Sequence, residues 1–412
     1  MEIPLIDTPE FQRLRGIKQL GTASLVYPSA VHTRFEHSLG TCWLARRMVD
    51  DLGGFSEEQR RAIFAAALLH DVSHIPFGHT FEDERHIFER HDVPERQRAF
   101  LRRGALGKAL ERLGLLGPVS DILCGDGPPA ARDIVSGTIC ADLLDYLARD
   151  SYFCGLRGGY DERLFRYFRM DAQGLYLEAQ KAGIIRADAV SEVVNLLRQR
   201  YFLSERVYYH HAKTASGAMI SRAVECAVNQ GLLLDTLNGL TDDRLLMLLE
   251  EKYGKDPVIG RLLAHFASHR LYKRAYVLTR RAGEERLKDL VATYHYNRAA
   301  REEAEQALTR RLKLKEGELI VYCPSDRMAL KEARVRVRVD SGPPRSLDAL
   351  NVPEIDVLLD KHRDLWRFYV FLAPGHEDRM RKVGAACEAW FQAPNHLPAL
   401  QSGQLFLGGM LG

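Results

Sequence analysis

The sequence predicts a mainly α-helical chain with a small α+β lobe near its C-terminus, and three observations carry that prediction. Apolar residues recur at three- and four-residue steps through most of the first two thirds, capping signals stand before some of those stretches, and runs rich in β-branched and aromatic residues gather only after residue 317. No internal repeat or low-complexity tract interrupts this pattern.

Arg34 to Leu52 offers Phe35, Leu39, Trp43, Leu44, Met48 and Val49 to one side and stops at Gly53-Gly54, so it reads as an amphipathic helix with His37 near its start. Ser56-Glu57-Glu58-Gln59 has capping-box form, and Ala62, Ile63, Ala66, Ala67 and Leu69 continue it as a second helix ending around His70-Asp71, with Pro76 beyond. The spacing predicts a third helix over 133–150. On it Asp142, Asp145, Tyr146, Arg149 and Asp150 share one face, while Ile139, Leu143, Leu144 and Leu147 supply the apolar side. From 226 to 310 the pattern stays helical and grows more charged, with KRAYVLTRRAGEER and REEAEQALTRR as solvent-facing pieces. Strand runs follow at 318–323, at 333–340, where Val and Arg alternate, and at 365–373, punctuated by Gly342-Pro343-Pro344 and Pro374-Gly375. The alternating arginines read as an exposed sheet face that discourages edge aggregation. The expected division is 1–225, a helical core; 226–310, a helical extension; and 311–412, the α+β lobe.

A chain of 412 residues, 46% apolar, can bury a large core without covalent staples. The formal charge of +3 offers no global basic field, so composition argues against a nucleic-acid partner. The seven cysteines are scattered and never form CxxC, which excludes a disulfide framework or zinc ribbon and suits a reducing cytosol; Cys140 and Cys154 read as ordinary buried thiols. With no secretory n- and h-regions and no apolar run near roughly 20 residues, the expectation is a cytoplasmic protein with no membrane association.

The chemistry concentrates in AALLHDVSHIPFGH, residues 66–79, where an apolar helix ends on His70, Asp71, His74 and His79. With His37 and Asp142 on two further helices, imidazoles and carboxylates can converge on a divalent transition metal, as they do between the helices of bundles. The order H…HD…D is the informative part. An isolated HD pair is not, since His91-Asp92 supplies another.

RFEHSLG at 34–40, LLHDVSHIPFGH at 68–79 and DLLDYLARD at 142–150 resemble the motifs of the HD-domain metal-dependent phosphohydrolases. The likeness is nearest to the deoxynucleoside triphosphate triphosphohydrolase branch, some members of which carry a sterile alpha motif. FQRLRGIKQLGTASLVYPSAVHTRFEHSLG, YYHHAKTASGAMI and DLWRFYVF extend it in order along most of the chain, with no sterile alpha motif visible. The resemblance implies an HD-domain helical bundle as the catalytic core, with His37, His70, Asp71 and Asp142 as metal ligands. It makes His74 and His91 catalytic beside Asp71, with His86 the alternative to His91, and makes His79 a phosphate-holding residue. Arg34, Tyr146, Asp150, Arg200 and Tyr208 stand at positions similar to those contacting phosphate or sugar. An imidazolium at His74 or His91 would act as acid or electrostatic stabiliser, Arg34 and Arg200 would neutralise phosphoryl oxygens, and Asp150 would accept a ribose hydroxyl with Tyr146 against the sugar.

Two positions depart from the branch. Leu143 stands where a phosphate-contacting lysine is expected, leaving His211 or Lys213 to substitute, and Glu82 stands where an aspartate is usual. The full motif set implies dNTP hydrolysis to deoxynucleoside and triphosphate, while loss of that lysine weakens the case for a triphosphate. The alternatives are a nucleotidase or phosphodiesterase of the same superfamily, or a nucleotide-sensing regulatory module. The expected cofactor is a divalent ion, Fe, Mn, Ni, Co, Zn or Mg, with a second ion conceivable at His74, His79 and His91. The expected partners are a nucleotide and further copies of the chain, their assembly nucleotide-dependent.

Overall fold

A computed structural model of the protein describes residues 2–326, 330–350 and 352–402. The principal helices are α1 (Arg34–Leu52), α2 (Glu57–Leu69), α3 (Pro129–Ser136), α4 (Ala141–Phe153), α5 (Ala187–Leu203), α6 (His211–Asn229), α7 (Asp242–Tyr253), α8 (Arg298–Leu312) and α9 (Met380–Phe391). The strands of the two larger sheets are β1 (Phe168–Asp171), β2 (Gly174–Glu178), β3 (Lys273–Thr279), β4 (Leu319–Tyr322), β5 (Arg336–Arg338), β6 (Arg345–Ser346) and β7 (Arg367–Leu372). The chain is mainly α with small sheets, as expected. None of the described helices is long and apolar enough to cross a membrane.

Helix α1 starts on a Thr33–Glu36 capping box and packs against both α2 and α4. Because it has two partners, its buried stripe runs through His37, Thr41, Ala45 and Met48, and Leu39 and Trp43, expected on the core face, lie exposed. Helix α2 begins with the predicted capping box: Ser56 Oγ accepts the Gln59 N–H at 3.2 Å and Gln59 Oε1 accepts the Ser56 N–H at 2.9 Å. Its last eight residues are all buried, and His70 caps its C-terminus.

The single helix expected over 133–150 is two. Gly137 leaves α3 in an extended conformation, where a Cβ would stand 2.6 Å from the Asp133 carbonyl oxygen. Cys140 then opens α4, its Sγ accepting the Leu143 N–H at 3.4 Å. The break puts Asp142 in the first turn of α4, where the helix dipole favours a carboxylate.

The apolar core falls into three clusters. One fills the space between α1, α2, α4 and α5 and also takes in Leu330, Val335, Val337, Leu347, Ile355 and Leu358. A second surrounds α6 and includes Ile75, Phe77 and Phe81 from the segment after the HD pair. The third lies under α8 and α9. A three-stranded antiparallel sheet, ordered β3-β7-β4, separates the last two. In the central strand Tyr369 and Phe371 face the second cluster while Phe368, Val370 and Leu372 face the third, the two-residue alternation of a strand covered on both sides.

Two expectations fail here for one reason. KRAYVLT, read as part of a solvent-facing helical piece, is the buried strand β3, and in REEAEQALTRR the charged Arg301 and Glu305 are buried. Both segments border the sheet, and tertiary packing overrides their local polarity. The strands β1 and β2, which the helical reading of that region passes over, form a hairpin extended by β5 in parallel and then β6. In β5 the arginines do not offer a free basic face: Arg336 pairs with Asp171 at 2.6 Å, Arg338 pairs with Glu178, and Val337 between them is buried. All seven cysteines are free thiols.

Candidate metal centre

His37 and Asp142, on two helices, and His70 and Asp71, at the end of a third, meet in one place. The Nε2 atoms of His37 and His70 stand 3.2 Å apart, and Asp142 Oδ1 lies 3.1 Å from the first and 3.6 Å from the second. Asp71 reaches the same point, with Oδ1 3.5 Å from His70 Nε2 and Oδ2 3.8 Å from His37 Nε2. The opposite ring nitrogens are committed elsewhere: His37 Nδ1 to Asp145 Oδ2 at 2.8 Å, and His70 Nδ1 to the Ala67 carbonyl at 2.9 Å. Each Nδ1 is therefore the donor, so each neutral ring aims a lone pair at the other and at a carboxylate. Two such nitrogens repel unless a cation lies between them. Ligand bonds of roughly 2.0–2.2 Å place neighbouring donors about 3 Å apart, which the observed spacings match, so the residues fit a divalent ion.

The field at the site says the same. Burial opposes charge on His37, yet hydrogen bonds to Asp142 and Asp145 and the charge of Asp71 outweigh it and raise its pKa to about 10. His70 is raised against burial by Asp71 and Asp142, and the Asp142 and Asp71 carboxyls are held well below their usual range by the neighbouring cationic groups despite burial. A proton thus stands where a metal would, and binding a metal releases it.

Asp145, one turn beyond Asp142, is the residue that sequence reasoning placed on the polar stripe without a role. It orients His37 and is itself held by Arg149 through two bonds, Nε to Oδ2 at 2.7 Å and NH2 to Oδ1 at 2.8 Å. The glycine of RFEHSLG makes room for this pair: a Cβ on Gly40 would fall 1.9 Å from Asp145 Oδ1. Partners that fix a ligating imidazole typically change metal affinity 10–100-fold. Asp145→Asn is therefore expected to weaken cobalt binding by about 10–100-fold while the fold persists, measured by competition with a chromogenic chelator.

Beside the metal donors lies a second group, His74, His79 and His91, with ligand atoms within 4.8 Å of one another. His74 and His91 stack with ring centroids 3.6 Å apart, and His79 meets their edges at 4.9 and 5.1 Å. Glu82, met in the sequence only as a departure, is their common partner. It is buried, accepts the His91 backbone N–H at 3.0 Å, lies 3.0 Å from His91 Nδ1 and 3.3 Å from His79 Nδ1, and pairs with Arg96 at 3.4 Å. His91 rather than His86 enters this group; the His86 ring lies against His295 and Tyr296 instead.

The two free-standing histidines differ in charge. Burial, Arg34 and His91 push His74 well below the usual histidine pKa, so it is neutral in the resting protein, contrary to the expected imidazolium. His79 is held up at about 9, because hydrogen bonds to Asp83 and Glu82 outweigh the effect of burial.

Arg34, expected to face phosphate, is buried and paired to Asp71, with Gly78 pressed against it: a Cβ there would lie 2.6 Å from its NH2. Asp150 takes His32 Nε2 at 2.8 Å and the Tyr208 hydroxyl at 2.7 Å, one on each oxygen. His32 carries no spacing signal that would have singled it out. The Arg200 guanidinium lies 5.1 Å from the Tyr146 ring centroid and 4.9 Å from that of Tyr208, so these residues and Asp150 form one wall. The two proposed substitutes for the absent lysine do not reach the metal donors. Lys213 binds the buried Glu84 at 2.6 Å, and His211 lines a cavity with His269, Tyr272, Lys273 and Arg274. Leu143 itself is buried in the core.

A helical bundle presenting this donor set on facing helices defines a metal-binding protein of the His/Asp type. The HD domain family matches residues 34–150 and the HD associated region matches residues 162–395, and the chain belongs to the HD-domain family. An uncharacterised protein of Methanocaldococcus jannaschii is 36% identical over 226 residues, 54% of this chain and 46% of its own length. The deoxynucleoside triphosphate triphosphohydrolase SAMHD1 of Bos taurus is 28% identical over 326 residues, 65% of this chain and 55% of its own. The chain thus spans about half the length of the curated relatives it matches. Among solved structures, a phosphohydrolase from Bacteroides thetaiotaomicron superposes with a TM-score of 0.67 at 23% identity, over 90% of this chain and 94% of that one. A protein from Aquifex aeolicus gives 0.67 at 22% identity, over 92% and 94%. At those identities the likeness establishes the shared fold.

Proposed function

We propose that the protein is a metal-dependent phosphohydrolase acting on nucleotides, and that it removes triphosphate from deoxynucleoside triphosphates in the cytoplasm. The observation that carries the reading is the pair of lone-pair nitrogens and the carboxylates converging beside a second histidine cluster. The similarity to SAMHD1, a deoxynucleoside triphosphate triphosphohydrolase, supports the substrate class.

His37, His70, Asp71 and Asp142 would hold a divalent ion, which when bound supplies Lewis-acid polarisation and a water of lowered pKa. Asp145 keeps His37 in the ligating tautomer. His79, charged at neutral pH with its Nδ1 held by Glu82 and Asp83, would offer its Nε2–H to a phosphate oxygen. Neutral His74 can take up a proton, and an approaching phosphate, being anionic, raises its readiness to do so before the leaving oxygen departs. Glu82 holds the His91 ring stacked on that of His74. Tyr146, Tyr208 and Arg200 would wall the sugar, with Asp150 acting through Tyr208 and His32. The second histidine group would accept a further ion once phosphate brings negative charge. We also propose that copies of the chain associate in a nucleotide-dependent way.

One observation favours a smaller substrate. Leu143 is buried and Lys213 is tied to Glu84, so two cations that would anchor a triphosphate are missing, as a nucleotidase or phosphodiesterase would allow. Chromatography of metal-supplemented protein incubated with each dNTP, and separately with monophosphates, decides between them. Deoxynucleoside with tripolyphosphate is the expected product, and orthophosphate from monophosphates alone would replace the triphosphohydrolase reading with the nucleotidase one. Binding without turnover would point to a nucleotide-sensing module.

A further inference from the structure

The segment that carries His74 and His79 is fixed by residues far from it in sequence. Phe77 and Gly78, between the two histidines, are both left-handed, at φ 59° and 54°. Glycine adopts this freely, whereas a phenylalanine needs outside support. That support is Asp242, the first residue of α7, which is 1% exposed. Its Oδ1 accepts the Phe77 N–H at 2.7 Å, and its Oδ2 accepts the Lys18 N–H at 3.0 Å. Arg13 completes the brace, donating to the carbonyls of Val72 at 2.9 Å, His74 at 2.7 Å and Leu240 at 3.1 Å. The brace therefore grips the backbone leading into the turn, from Val72 to Phe77. The metal donors His37, His70 and Asp142 are set by other contacts on α1, α2 and α4.

We propose that Asp242 is a positioning residue for the phosphate-side histidines. One carboxylate oxygen holds the turn between His74 and His79 and the other ties it to the Lys18 backbone, so that Gly78 can lie against Arg34 and the His79 ring can meet His74 and His91. This rests on the reading that those imidazoles face the phosphate. It also explains the form of the contact. A carboxylate can receive a backbone N–H on each of two oxygens, whereas an amide has a single acceptor oxygen and an alkyl side chain none.

The test compares full-length wild type with Asp242→Ala, Asp242→Asn and Lys18→Ala. Three measurements are made: cobalt(II) binding by absorption, long-range proton–nitrogen NMR of the imidazoles, and kcat and KM for the best dNTP. Asp242→Ala is expected to bind cobalt as wild type does, to shift the His74 and His79 ring signals, and to lose roughly 10²-fold in kcat with a smaller change in KM, the cost of a misplacement of about 1 Å. Asp242→Asn, keeping one acceptor, should fall between and serves if the alanine variant does not fold. Lys18→Ala leaves both backbone bonds but removes the ammonium 3.8 Å from Asp242 Oδ2, and should lie closer to wild type than Asp242→Ala does. Unmoved ring signals with unchanged kcat overturn the proposal, as does loss of cobalt binding in step with kcat, which would mean that Asp242 supports the whole fold. If wild type hydrolyses no nucleotide, the activity reading fails and the ring signals alone decide. Shifted signals beside intact cobalt binding then support the positioning role, and unmoved signals end it.

Discussion

Replacing Asp142 with alanine is expected to leave the chain folded, to empty the His37–His70 site of metal, and to reduce hydrolysis roughly 10³-fold or more. The fold should survive because the Asp142 side chain, 26% exposed in the first turn of α4, contributes charge rather than core packing. The activity should not. A bound dication is worth several kcal/mol of charge stabilisation to a phosphoryl transition state, and about 4 kcal/mol corresponds to roughly 10³-fold. Without Asp142 the two Nε2 atoms, 3.2 Å apart, lose the anion nearest them. The same geometry sets a pH dependence with a definite sign. His37 is raised to about 10, chiefly by Asp142, so in the wild type a proton competes with the metal at neutral pH and affinity climbs as pH rises. Asp142, held far below its ordinary range, remains ionised throughout and does not oppose that trend. In Asp142→Ala the principal reason for the raised His37 is gone, and the dependence should flatten. Metal content by elemental analysis, with cobalt titrations from pH 6 to 8, checks both parts. Wild-type metal loading in the variant would refute the ligand assignment.

Why the sequence disclosed some of this and hid the rest is a matter of range. Capping boxes, apolar periodicity and the HD turn are local, so α1 and α2 were legible nearly to the residue, and the metal donors lie on or beside them. Asp145 is visible in the sequence as a member of a polar stripe, but its partner His37 lies 108 positions away, and spacing on one helix cannot name a partner on another. Glu82 looked like a blemish because its value lies in three imidazoles folded around it. His32 and Asp242 act through contacts across 118 and 165 positions. The break at Gly137 was missed because periodicity continues through it. The charged α8 was misread for a related reason: a helix rich in Arg and Glu normally faces water, and only a partner of opposite charge brought in from elsewhere can bury it.

That burial makes the strongest stability prediction. Substituting Glu225 by alanine is expected to destabilise the protein by roughly 3–5 kcal/mol, because it leaves arginines buried without their counter-charge. Glu225 lies on α6 with no exposure and receives Arg85 through two bonds, Nε to Oε1 at 3.1 Å and NH2 to Oε2 at 2.6 Å, and Arg301 NH2 at 2.8 Å. Arg85 goes on to Glu305 at 2.9 Å and to the Val321 carbonyl at 2.7 Å, so the cluster ties the segment after Glu82 to α6, α8 and β4. Arg310, exposed on the same α8 that carries Arg301, provides the contrast: Arg310→Ala should change stability by no more than about 0.5 kcal/mol. Urea denaturation of the two variants measures the difference. Acid titration supplies an independent check. Burial alone would raise the Glu225 carboxyl, but the charges of Arg85 and Arg301 hold it down at about 2 against an ordinary 4.5. Its contribution is therefore complete above pH 4.5 and is lost as pH falls toward 2, so this part of the acid sensitivity should vanish in Glu225→Ala. Equal stability of the Glu225 and Arg310 variants would mean that the arginines find water or other carboxylates when Glu225 is removed. In that case the cluster would not be what holds the segment after Glu82 against the sheet.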